Sequence, residues 1–514
     1  MISMTLNPTP PTSPTPSTRM RMKTIRPGLR PFALAAGVLL LLAGCASAPP
    51  RAEPPALELP AARWSDAAAV PAASAAALPA WRDLVRDARL REVIALALEN
   101  NRDLRVALLG VEQARATYQV QDATRRPTLQ ATGSSSASFT PAEASSSGRD
   151  TLNRSYSVGI GISAWELDLF GRVASLRDAA LQSYLNTEAA QRATRLTLIG
   201  DVATAWLTLG ADRRLLALAR RTLASQQDTL RLTERRQALG AASGLTLEQT
   251  RTTVETARGQ VAALESQVQR DRHALELLVG RAVPEALLPT DADTGADEAA
   301  ALVGLPDALA STVLLRRPDV IAAEHLLQGS RADLEAARAA RFPRISLTAS
   351  AGTASRQLGD LFAGGAWSFV PSVSWPILDG GTIEAGVTRA EATRDIRRAT
   401  YDKTVQTAFR EVADALSVRA SLTERIDAQR ALVQAWTRSL TLAEARFRAG
   451  ADSWLTVLDA QRSLHAAQQA LITLELTEQS NRITLYKVVG GGGEASRCGI
   501  CPGRSRLRGG FGPH

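Results

Sequence analysis

The 514-residue sequence predicts a mainly α-helical chain with a small β portion, built as two copies of one half. Three observations predict it. From Arg172 to about Leu239 there is no proline, and leucine, alanine and arginine dominate, as in a long helix. Four short segments alternate strictly between apolar and small polar residues, the period of a strand. A repeat is visible directly: the stretch from Asn101 to Pro127 aligns without gaps to Arg317 to Pro343 at an offset of 216, and Gly240 to Leu245 aligns to Gly450 to Leu455 at an offset of 210. A unit of that length is too long for a solenoid and reads as a duplicated half-protein.

The elements follow in order. Residues 1–44 carry Arg19, Arg21, Lys23, Arg26 and Arg30 without an acid, then an apolar run from Phe32 to Leu42. That run is too short for a membrane-spanning helix and has the length of a signal-peptide core. It ends in Leu42-Ala43-Gly44-Cys45, which resembles a bacterial lipobox, so Cys45 is expected to carry covalent lipid and to become the mature N-terminus. Ala46 rather than an aspartate follows it, the pattern of outer-membrane sorting. Residues 45–80 read as a lipidated extension.

The first repeat spans 81–280, with strands expected at about 127–134 and 155–165. The second spans 318–489, with strands at about 343–352 and 366–376. The intervening 134–155 and 352–366 are rich in serine, glycine and alanine and read as exposed loops. In the first repeat Tyr156, Val158, Ile160, Ile162 and Ala164 form the expected apolar face. Such strands suit a tilted bilayer crossing of about ten residues, or a half-buried sheet in a soluble sandwich. Four strands cannot close a membrane barrel, whose practical minimum is about eight. Open edges in lipid leave backbone groups unpaired, so two chains or three must contribute to one barrel.

A helix over 172–239 is a rod of about 100 Å, which needs coiled-coil neighbours. The chain turns at 240–245 and returns over about 245–279. That return helix plus the one after Pro318 nearly matches the long rod end to end, and 281–317, with Pro284, Pro289 and Pro306, is then a side excursion at mid-height. The same arithmetic pairs 455–489 with 97–125 against 377–449. Residues 490–514 form a Gly/Arg-rich tail expected to lack order.

The formal net charge is +9, but five of those charges lie in 1–44 and three in the tail. A body left with about one offers no field for nucleic acid. The four histidines are scattered, and Cys498 and Cys501 form a lone C-x-x-C without a second pair, so no metal site is expected. Gly159 to Ala164 matches a dinucleotide fingerprint but sits inside an alternating strand, where that fingerprint does not bind. No catalytic constellation is recognisable.

With the lipobox, the segments Trp165–Arg172, Arg316–Val320, Ala340–Ser346, Ala445–Gly450 and Leu455–Arg462 together resemble the TolC/OprM/NodT outer-membrane factors of tripartite efflux pumps. The resemblance covers about 60–489. It implies a lipid-anchored homotrimer in the bacterial outer membrane, in which a 12-stranded barrel continues into a coiled-coil tunnel of 12 helices through the periplasm. It implies a passive duct for small molecules, fed by an inner-membrane transporter through a periplasmic adaptor. It places the periplasmic gate at Leu455, Asp459 and Arg462, which share one helix face at i, i+4 and i+7. The first repeat has Leu245, Gln249 and Thr252 there, without charges. Asp459 and Arg462 are expected to form ion pairs within the helix or between subunits, or else to be a solvated surface pair. In the family the turns carrying Gly240, Ser243, Gly450 and Ser453 meet the adaptor, although turn geometry alone also accounts for glycine there. The alternative from another class is a lipid-anchored periplasmic coiled-coil scaffold with a soluble β-cap and no channel.

Overall fold

The computed structural model describes residues 79–290, 302 and 311–492. The signal segment, Cys45, most of the N-terminal extension and the tail with Cys498 and Cys501 lie outside the described residues. After a single helical turn at Trp81–Leu84 come α1 (Ala88–Asn100), α2 (Arg102–Ala123), β1 (Leu129–Thr140), β2 (Thr151–Leu167), α3 (Arg172–Ala238) and α4 (Gly244–Val279). The second half has α5 (Pro318–Ala339), β3 (Arg344–Ser355), β4 (Gly365–Ser374), α6 (Thr382–Arg448) and α7 (Trp454–Val488). The duplication is kept in length: α3 and α6 both have 67 residues, α2 and α5 both have 22, and α4 and α7 have 36 and 35. Among the described residues no helix is long and apolar enough to cross a membrane.

The strands form one antiparallel sheet in the order β1-β2-β3-β4, so the two repeats join at β2–β3. Register sorts the side chains. Leu129, Ile162, Ala349 and Phe369 fall in one row, and Ala131, Ile160, Ala351 and Trp367 in the next. Every residue of those rows is on the same face. The opposite face is mostly serine, threonine and glycine, with Gln130, Asn153 and Val370 among them, and is laced by hydroxyl pairs Ser134–Ser157 at 2.8 Å and Ser346–Ser372 and Ser350–Ser368 at 2.7 Å. Where Gly159 opposes Gly352 the strands approach so closely that a Cβ on Gly352 would overlap the Val158 carbonyl.

Two strand expectations are corrected. β1 and β2 run well past 134 and 155, because pairing from Ser134–Ser157 out to Thr140–Thr151 satisfies backbone groups whatever the side chains are. The first loop shrinks to 141–150. Ala164 also leaves the apolar face. A β-bulge between Ile162 and Trp165 puts Ala164 at φ 46°, with its N–H donating to Thr348 Oγ1 at 3.0 Å. The extra residue shifts parity, so Trp165 takes the apolar face opposite Leu347.

Two tryptophans tie the sheet to the helices. Trp165 Nε1 donates to the Arg125 carbonyl at 3.3 Å, and Trp375 Nε1 to the Arg341 carbonyl at 3.1 Å, one contact per repeat. Phe170 and Phe342 stack with centroids 4.8 Å apart, joining the two repeats.

The helices stack differently from the sequence arithmetic. Asn101 caps α2 and donates from Nδ2 to the Leu278 carbonyl at 2.8 Å, so α2 continues α4. Its repeat partner Arg317 donates to the Val488 carbonyl at 2.6 Å, so α5 continues α7. The composite rods are therefore α4 with α2 and α7 with α5, each about 86 Å, rather than α4 with α5. The cause is the excursion after Gly280. It crosses the middle of α3, where Trp206 Nε1 donates to the Leu287 carbonyl at 2.9 Å and Arg213 to the Pro289 carbonyl at 2.7 Å. α5 seats between α3 and α6.

The sheet's two faces make a direct prediction. Arginine at Ile160 on the apolar face should cost roughly 2–4 kcal/mol in a bilayer. Ile160→Arg is expected to deplete the protein from membrane fractions, whereas Ser350→Arg on the hydroxyl face should not. Equal behaviour of the two variants in membrane fractionation would contradict this assignment of faces.

Candidate functional site

The ends of the two hairpins, α3–α4 and α6–α7, carry the residues singled out in the sequence. Their turns share one backbone. Gly240 and Gly450 both stand at φ 73°, the left-handed region that a Cβ disfavours. Ala241 N–H donates to the Arg236 carbonyl at 2.7 Å and Ala451 N–H to the Arg446 carbonyl at 2.9 Å, closing a Schellman turn in each. Ser243 then caps α4, accepting from the Thr246 N–H at 3.1 Å. Ser453 occupies the same N-cap position of α7 without a side-chain cap bond.

The resemblance between the turns stops at the backbone. The second is stapled by Arg446, which holds Asp452 through Nε at 2.7 Å and Nη2 at 3.1 Å. That guanidinium keeps the Asp452 carboxyl below the usual carboxylate range. Phe447 meets Trp454 across the turn with centroids 5.0 Å apart. Arg236, from the end of α3, lies 5.0 Å over the Phe447 ring and links the hairpins. At the 210-residue offset, the first turn has Gln237 for Phe447, Gly244 for Trp454 and Ala242 for Asp452. The sequence reading missed this cluster. Its signal was two aromatic residues and an opposite-charge pair flanking one glycine, in a chain only 4% aromatic.

Leu455, Asp459 and Arg462 share an exposed face of α7, and Leu455 is 54% exposed. Val457, Leu458 and Ala460, on the opposite side, are buried, and Val457 and Ala460 belong to the core that α6 and α7 share at this tip. Leu245, Gln249 and Thr252 form the matching exposed face of α4, behind buried Leu247, Thr250 and Val254. The expected ion pair within the helix is absent: Asp459 and Arg462 pair neither with each other nor with another described residue of the chain. Both stay hydrated, where such a pair stabilises by at most about 1 kcal/mol.

A sheet with one lipid-compatible face, continued by helical hairpins of about 100 Å, defines a membrane-anchored channel of the tunnel type. Residues 93–281 and 309–491 match the family model described as outer membrane efflux protein, one stretch for each repeat. The chain is 43% identical over 462 residues to the toluene efflux pump outer membrane protein TtgC of Pseudomonas putida, covering 88% of this chain and 93% of that one. It is 41% identical over 468 residues to the outer membrane protein OprJ of Pseudomonas aeruginosa, covering 91% and 97%. Among solved structures, a membrane protein from Pseudomonas aeruginosa superposes with a TM-score of 0.80 at 39% identity, covering 87% and 98% of the chains. The open state of the Neisseria gonorrhoeae MtrE outer membrane channel gives 0.71 at 35% identity, covering 83% and 94%. The chain belongs to the outer membrane efflux protein family. It is an outer-membrane channel component of a tripartite efflux pump, and its relatives are channels rather than enzymes.

The staple sets an expectation for the tip. Phe447→Ala removes the Trp454 ring contact and the seat of Arg236, a loss on the order of 1–2 kcal/mol. Amide exchange across 440–457 should accelerate about tenfold or more, while α1 is unaffected. Unchanged exchange at the second tip would show the cluster to be inert.

Proposed function

We propose that the chain works as a homotrimer, a passive duct whose closed state is a constriction where the hairpin tips converge. One observation supports a neighbouring copy, and the family likeness supports the number three. α5 is covered on two sides, by α3 and α6. Its repeat mate α2 packs on α3 and leaves Val106, Leu108, Leu109 and Val120 exposed. The α6 of a neighbouring copy would cover them as α6 covers α5, and exposed Ile396 on α6 is the complementary surface. The same step sets β4 beside the neighbour's β1. Three copies then give 12 strands and a ring of helices twelve across, in keeping with the family.

In that ring Leu455, Asp459 and Arg462 each recur three times around the axis, as an apolar, an acidic and a basic ring. Left unpaired within its own chain, Asp459 is free to meet Arg462 of a neighbouring copy, and such pairs would hold the tip shut. Gly240, Ser243, Gly450 and Ser453 stay at the exposed turns for a periplasmic adaptor, which links the duct to an inner-membrane transporter. Covalent lipid on Cys45 is the proposed anchor and no other cofactor is assigned. No residue is assigned to catalysis. The cargo class is small toxic molecules, supported by relatives named for toluene and antibiotic efflux.

The gate is tested with Asp459→Ala combined with Arg462→Ala. Single-channel conductance in planar bilayers should rise and cells should leak drugs through the outer membrane. Conductance and leakage equal to the unmodified channel would remove these residues from the gate.

A further inference from the structure

Two carboxyl groups meet inside the first hairpin, away from the tip. Asp212 lies on α3, six residues beyond Trp206, and Asp271 lies on α4, eight before Val279. Asp271 Oδ1 accepts from Gln267 Nε2 at 2.7 Å. Its Oδ2 is shielded from solvent and meets no donor. The ion pairs Arg220–Glu265 and Arg251–Glu234 set the antiparallel register of the hairpin, which brings Asp212 level with Asp271. Two ionised carboxylates facing each other have no hydrogen to place between them, and a shared site favours one of them taking up a proton.

The surrounding cations are engaged elsewhere. On α3, Arg213 binds Glu285 and the Pro289 carbonyl, and Arg214 binds Glu475 of α7. On α4, Arg272 binds Glu276 and Glu285, and Arg270 binds Gln267 and Ser266. On α1, Arg89 pairs with Asp87 and lies over the Trp206 ring, and on α6 Arg430 turns toward Glu475. Burial first, and Asp271 second, push the Asp212 carboxyl up to about 7.

The second repeat solves the same position without a titrating group. At the 210-residue offset Asp212 becomes Leu422, fully buried, and Asp271 becomes Asn481, whose Nδ2 donates to the Ala415 carbonyl at 3.0 Å. We propose that Asp212 and Asp271 share one proton, that this proton latches α3 to α4, and that the first hairpin alone loosens when it leaves. The sign follows from linkage. The closed hairpin holds a proton that an opened, hydrated one releases, so its stability is present at acidic pH and is lost as pH rises from the ordinary carboxylate range through about 7. Between those limits the opening constant rises about tenfold per pH unit.

The test uses the full-length channel in detergent, titrated from about pH 5 to about pH 9, with infrared difference spectra and amide exchange corrected for its intrinsic rate. A protonated-carboxyl carbonyl stretch should vanish with a midpoint near neutrality while exchange in α3 and α4 around Asp212 and Asp271 accelerates. Both changes should be missing in Asp212→Asn, which supplies a permanent donor. They should be missing too in Asp212→Leu with Asp271→Asn, which copies the second repeat. The histidine of α7 that contacts α3, His465, has Nδ1 3.2 Å from Thr222 Oγ1, and His465→Gln should leave both changes intact. A carboxyl signal that is absent near neutrality, that survives in Asp212→Asn, or that titrates without any change in exchange would overturn the proposal. These readouts do not involve Asp459 or Arg462, so they stand or fall apart from the gate.

Discussion

A sheet of four strands has two open edges, and in lipid an open edge is untenable. Each unpaired N–H or carbonyl there costs several kcal/mol, because hydrocarbon offers it no partner. β1 and β4 are those edges, and the rest of the design answers to them. The register that gathers Leu129, Ile162, Ala349 and Phe369 on one face makes the sheet fit for a bilayer but does nothing for its margins. Only further copies of the same chain extend it. The half-covered α2 has the same deficiency, and the proposed neighbour would supply both needs.

Duplication provides the frame and divergence the function. The two repeats share helix lengths, tip turns, the tryptophan ties at Arg125 and Arg341, and the joints at Leu278 and Val488. They differ where a moving part would need to differ. The second tip has the Arg446–Asp452 and Phe447–Trp454 staples, and the first has neither. The second hairpin places Leu422 and Asn481 where the first places two acids. In the proposed trimer, stiff and yielding elements would therefore alternate around the ring.

Much of this was legible in the sequence, for identifiable reasons. A 67-residue proline-free helix ending at a glycine is a local pattern, and α3 stops within a residue of its expected end. The inner parts of the strands alternate and were visible, whereas Ser134–Ser138 has no apolar period and joins β1 only because β2 lies opposite. The bulge at Ala164 was hidden because parity breaks only when the partner strand is known. The rods were matched to the wrong partners because helix lengths say nothing about which helix end Asn101 or Arg317 will cap. Arg236 over Phe447, and Asp212 against Asp271, join residues on different helices, and periodicity carries no information about such meetings. The face holding Leu455, Asp459 and Arg462 was legible from spacing, but the absence of an ion pair between them was not.

The central claim is that one chain cannot complete its own sheet. Native mass spectrometry of the channel, extracted from outer membranes in mild detergent without cross-linking, tests it most directly. The account predicts a folded particle of three chains, with no smaller species that keeps its strands. A folded monomer retaining the four-stranded sheet in lipid or detergent, or a particle of two chains, would contradict it.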